Sequence, residues 1–96
     1  MSKQPQPAPD SEFLKLVGTR IRQLRTVLEL NQDVFADEIG MHRSYIGQLE
    51  GGRKDLRLST VQRVAQRYGL DVHQLLDPSY VLQASQLRER QVSPDA

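Results

Sequence analysis

Apolar residues in this chain recur three or four apart, and most of the runs after the first are cut by glycine or proline, which restricts the fold to short amphipathic helices. Gly40, the Gly51-Gly52 pair and Gly69 each stand at the end of such a run, and Asp77-Pro78 closes another. No stretch alternates apolar and polar residues as a half-buried strand does. The pattern predicts an all-α chain, a compact bundle of five short helices with an extra C-terminal helix.

Ser11 is placed to cap a first helix running to about Glu29, with Glu12 at the favourable end of its dipole. Val17, Ile21, Leu24 and Val27 or Leu28 form its inner stripe, Phe13 and Leu14 extend that stripe backwards, and Arg20, Arg22 and Gln23 fall off it. Asn31 caps a second helix, Gln32 to Ile39, that buries Phe35, Ala36 and Ile39. Gly40 follows, where a left-handed residue is needed. A third helix starts near Arg43 behind a weak cap, His42, turns Ile46 and Leu49 inward and stops at Gly51-Gly52. Ser59 with Gln62 has the spacing of a capping box for a fourth helix lined by Val61, Val64, Ala65 and Tyr68. Asp71 with Gln74 repeats it for a fifth, holding Leu75 and Leu76. Tyr80, Ala84 and Leu87 share one face of a sixth helix expected over Ser79 to Arg90, and VSPDA reads as a frayed end.

With 96 residues the chain is one small domain. Residues 1–10, with three prolines and few apolar side chains, read as a disordered tail, 11–77 as the folded domain and 78–96 as a C-terminal extension. Without cysteine, neither disulfides nor thiolate metal sites supply stability, so a partner subunit is a useful addition to the core. No apolar run reaches the length of a membrane span and the N-terminus lacks a secretory core, so no membrane contact is expected and the cytoplasm is the default location. The net charge of +1 is neutral on nucleic acid; locally, Arg43, Arg53, Lys54 and Arg57 face only Glu50 and Asp55.

Gln32 to Glu50 has the pattern of a helix-turn-helix: small Ala36 at the crossing, Gly40 in the turn, and Phe35, Ile39, Met41, Ile46 and Leu49 to hold the unit to the domain. The segments GTRIRQLR, NQDVFADEIGMHRSYIGQLEGGRK and LSTVQRVAQRYGLDVHQLL, between Gly18 and Leu76, resemble the phage repressor and Cro type of DNA-binding domain, the xenobiotic-response-element family. RSYIGQLEGGRKD is also similar to restriction–modification controller proteins, small dimers of this fold.

The resemblance implies roles residue by residue. Gln32, assisted by Asn31, is expected on a phosphate at the start of the second helix. Arg43, Ser44 and Gln48 are expected at base edges in the major groove, with Arg43 suited to guanine and Gln48 to adenine. Tyr45 is expected against sugar-phosphate, Gly47 to permit close approach, and Arg53 and Lys54 with the Gly51-Gly52 amides on a flanking phosphate. Arg25 and Glu50 match an ion pair common in the family. His42 stands where the family has serine or threonine, and is expected on phosphate or base with binding favoured at mildly acid pH.

The bland readings are a solvated basic surface for the cations, an ordinary polar helix face for Ser44 and Gln48, and packing for Tyr45 and Tyr68. His42 and His73 are far apart and lack companion ligands, so no metal or cofactor is implied. Ser59 near Asp55 has no histidine base, and no phosphate-binding glycine loop occurs, so the chain reads as a non-enzyme. The function expected is a DNA-binding transcriptional regulator, a repressor or autoregulator acting as a homodimer on an inverted-repeat operator in double-stranded DNA. Val72, Leu75 and Leu76, or the Tyr80–Leu87 segment, are candidate dimer surfaces. The alternative is an antitoxin that also binds a protein partner through its C-terminal segment.

Overall fold

In the computed structural model, residues 11–53 and 56–91 are described; the tail expected over 1–10, the frayed end expected over 92–96 and the phosphate contact expected of Lys54 lie outside them. The described chain runs through α1 (Ser11–Val27), α2 (Gln32–Glu38), α3 (Arg43–Glu50), α4 (Leu58–Arg67), α5 (Val72–Leu76) and α6 (Ala84–Gln91). No strand occurs among the described residues, and no described helix is long and apolar enough to cross a membrane.

Val17, Ile21, Leu24 and Leu28 of α1 are buried along one stripe, against Phe35, Ile46, Leu49, Val64, Tyr68 and Leu75. Phe13 departs from the expected continuation of that stripe and is 54% exposed. Helix α1 ends two residues before Glu29, because Glu29 takes a left-handed φ of 60° and the Leu30 N–H returns to the Arg25 carbonyl at 3.1 Å. This is a Schellman stop with glutamate in the place glycine usually fills. Gly18 lies against the carboxyl end of α3: a Cβ on it would collide with the Leu49 carbonyl and stand 2.8 Å from that of Glu50. The contact seats α1 directly on the end of α3.

The Asn31 side chain accepts from the Val34 N–H at 2.8 Å, capping α2, and Gly40 with φ 71° ends the unit as the Met41 N–H bonds the Ala36 carbonyl at 2.8 Å. Four residues, Ile39 to His42, then lead into α3. The His42 side chain makes no capping bond. For α4 the expected capping box is not formed. Arg57, extended at φ −81° and ψ 141°, is the cap residue, and its carbonyl accepts from Thr60 and Val61, so Ser59 is already the second helical residue. At α5 the Gln74 Oε1 does accept from the Asp71 backbone N–H at 2.9 Å. Phe35 and Tyr68 stack at 5.8 Å between centroids and 7° between planes, joining α2 to the end of α4.

The sixth helix begins at Ala84, five residues later than expected from Ser79. Asp77 Oδ1 accepts from both the N–H and the hydroxyl of Ser79, and the Tyr80 N–H bonds the Asp77 carbonyl at 3.0 Å, which holds 77–80 in a turn. Leu82 and Leu87 are buried in the same core as α1 and α5. Arg20, expected off the buried stripe, is 4% exposed. Its Nε donates to the Leu75 carbonyl at 2.7 Å, and its Nη2 to the carbonyls of Gln74 at 2.9 Å and Tyr80 at 3.0 Å. The flank of α1 that carries Arg20 is covered by the end of α5 and the segment after Pro78, which is why an arginine is buried there.

Candidate nucleic-acid interface

Successive helical residues rotate by about 100°, so Arg43, Ser44, Gly47 and Gln48 of α3 fall within an arc of about 140°. Ile46 and Leu49 are buried on the opposite side. Arg43, Ser44 and Gln48 are exposed and Gly47 is half-buried. The three residues expected at base edges therefore stand together on one outward face.

Nothing among the described residues requires glycine at 47. A Cβ there would meet only the Gln32 amide, at 3.9 Å, which is ordinary van der Waals contact. A glycine inside a helix costs about 0.5–1 kcal/mol relative to alanine. This one leaves the outward face of α3 flat between Arg43 and Gln48.

Behind that face the end of α3 is tied to α1 and α2. Arg25 grips Glu50 through Nε to Oε2 at 2.7 Å and Nη2 to Oε1 at 2.9 Å, while its Nη1 donates to the Leu30 carbonyl at 2.9 Å. The pair is largely buried, with side-chain exposures of 16% and 5%. The hydrogen bonds to Glu50 raise the Arg25 pKa above its ordinary value, so the guanidinium stays charged and cancels the carboxylate. Gln32 Nε2 donates to Glu50 Oε1 at 3.1 Å, a link that sequence reasoning missed because the two residues meet only once α2 and α3 pack.

The remaining expected contacts spread around the same end of the molecule. Asn31 is exposed, with its Oδ1 committed to capping α2 and its amide nitrogen left as a donor. His42 and Tyr45 line a cleft of about 390 Å³ with Gly40, Met41, Arg57, Thr60 and Arg63, whose cations have no carboxylate beside them among the described lining residues. Arg63 had no expected role; its Nη1 donates to the Ile39 carbonyl at 3.3 Å, at the end of α2. Arg53 is exposed and folds back on Gly51, its Nε 3.1 Å from where a Cβ there would stand. Asp33 was also missed: its Oδ1 lies 3.3 Å from Arg43 Nε, across the turn. Among the described residues no group of three or more His, Cys, Asp and Glu is placed to hold a metal.

Residues 16–77 match the family model described as a helix-turn-helix domain. The chain is 31% identical over 77 residues to the propionyl-CoA carboxylase regulator of Cereibacter sphaeroides, covering 80% of this chain and 17% of that protein. It is 30% identical over 63 residues to the control protein C.BamHI of Bacillus amyloliquefaciens, covering 65% of this chain and 78% of the other. Among solved structures it is similar to the restriction-modification controller protein C.AhdI from Aeromonas hydrophila, with a TM-score of 0.61 and 30% identity over 69% of this chain and 98% of that one. The chain thus spans most of the small controllers but only a minor part of the larger regulator.

Proposed function

The chain belongs to the helix-turn-helix domain family, and on that premise we propose that it is a sequence-specific DNA-binding transcriptional regulator. In this reading α3 enters the major groove of double-stranded DNA, with Arg43, Ser44 and Gln48 at base edges. Asn31, Gln32, His42, Tyr45, Arg53 and Lys54 meet the phosphate backbone on either side. The observation that carries the reading is the outward arc of α3, where three polar side chains flank a glycine that the fold itself does not need.

One recognition helix reads few base pairs, so the protein acts as a homodimer on an inverted repeat. Leu75, Leu82 and Leu87 are buried in this chain's own core, so of the two expected dimer surfaces Val72, Leu76, Tyr80 and the 68%-exposed Val81 keep large apolar side chains at least partly accessible to a second copy. The alternative, an antitoxin gripping a partner through its C-terminal segment, has less to work with for the same reason. The regulator is a non-enzyme of the cytoplasm that acts by repression or autoregulation.

Selection from random duplex DNA tests the proposal, followed by binding of the recovered sequence across salt concentrations. The expected product is an inverted repeat with half-sites about one helical turn apart and affinity that falls steeply with salt. Recovery of no sequence above background overturns it.

A further inference from the structure

Asp33 places a carboxylate on the exposed side of α2, one residue after Gln32, beside a surface read here as facing phosphates. An acid in that position repels the backbone unless its charge is matched, so its partner matters. The partner is Arg43, the first residue of α3, with Nε 3.3 Å from Asp33 Oδ1. Both side chains are about two-thirds exposed, at 67% and 65%, so the pair contributes little to holding the fold.

Its geometry does something else. A guanidinium is a planar fork of five N–H donors, and a carboxylate whose nearest approach is to Nε draws that edge toward itself while leaving Nη1 and Nη2 at the tip. Those two tip nitrogens form the bidentate pair that matches guanine O6 and N7. We propose that Asp33 is a positioning residue for sequence readout: it holds Arg43 tip-outward, so that this arginine selects guanine instead of sampling neighbouring phosphates. The inference rests on the reading of α3 as the DNA-contacting helix. Exclusion of water on binding strengthens the pair, so the orientation is firmest in the complex.

The competing explanation is that Asp33 merely complements the positive end of α2, where Asn31 already caps. That role changes stability and leaves base preference alone. The test uses the full-length chain, the duplex it selects, every single base-pair variant of that duplex, and a scrambled duplex. Wild type is expected to prefer guanine at one position of each half-site by about 5- to 150-fold. Arg43→Ala marks that position by losing the preference. Asp33→Ala is expected to reduce the preference to about twofold or less at that position alone, with melting temperature unchanged. It should also bind the scrambled duplex about two- to fivefold more tightly, because a repelling charge is gone. Retention of the full guanine preference by Asp33→Ala, or an equal loss at every position, overturns the proposal while leaving the DNA-binding function intact. A wild-type chain that selects no sequence overturns the function and this inference together.

Discussion

Glu50 is locked to Arg25 by two parallel hydrogen bonds, of 2.7 and 2.9 Å, that join the last residue of α3 to the last turn of α1. Removing only the carboxylate strands a largely buried guanidinium. Glu50→Ala is therefore expected to lower the unfolding free energy by about 3 kcal/mol in urea titration and to weaken DNA binding. An unchanged midpoint would show that the pair does not hold α3 in place.

Gly47 separates folding from function. Glycine to alanine in a helix interior with free space for the methyl is expected to stabilise by about 0.5–1 kcal/mol. The same methyl would stand between α3 and the bases, so affinity for the selected operator is expected to fall by about tenfold. Thermal melting and a binding titration on Gly47→Ala check the two signs. Tight binding by the variant would mean that the outward arc does not meet DNA closely.

Glu29 holds a left-handed backbone at φ 60° at the end of α1. A non-glycine residue there carries strain of about 1–2 kcal/mol. Part of that is offset by glycine's freer unfolded chain. Glu29→Gly is expected to stabilise by about 0.5–1 kcal/mol, raising the melting temperature by roughly 2–8 °C in a domain of this size. Calorimetry on the variant decides it.

Tyr68 is expected to set the alkaline limit of stability. Its burial, then its hydrogen bond to Glu38, raises its pKa well above the ordinary tyrosine value. The folded state therefore favours the neutral phenol: that contribution is complete below about pH 10 and is lost as pH rises from there toward the folded value. Ultraviolet titration should show a tyrosine step that is late and coincides with unfolding, and Tyr68→Phe should remove that step. A titration curve that Tyr68→Phe leaves without loss of any late step would contradict the buried environment.

Local chemistry made much of this fold legible in the sequence. Asn31 and Gly40 bound α2 because capping and left-handed turning each depend on one residue and its immediate neighbours. Local patterns also misled: Ser59 and Gln62 had the spacing of a capping box, yet the extended Arg57 starts α4 earlier. The burial of Arg20 was invisible, since its three carbonyl acceptors come from residues 74, 75 and 80, more than fifty positions away. The outward residues of α3 followed from periodicity, and their expected roles came from family resemblance. The Asp33–Arg43 and Gln32–Glu50 contacts needed the packing of α2 on α3, which no spacing rule supplies.

The arrangement around Arg20 also bears on how the molecule comes apart. One guanidinium, rooted in α1, is shared between the carbonyl end of α5 and Tyr80 beyond it. Peeling the final segment away would leave a buried donor unmatched and bare the sites of Leu82 and Leu87, so its loosening is energetically coupled to loss of the centre. Hydrogen exchange at the Leu87 N–H, which bonds the Gln83 carbonyl at 3.2 Å, should therefore report the global unfolding free energy, and the chain should denature as a single cooperative unit with no early loss of that segment.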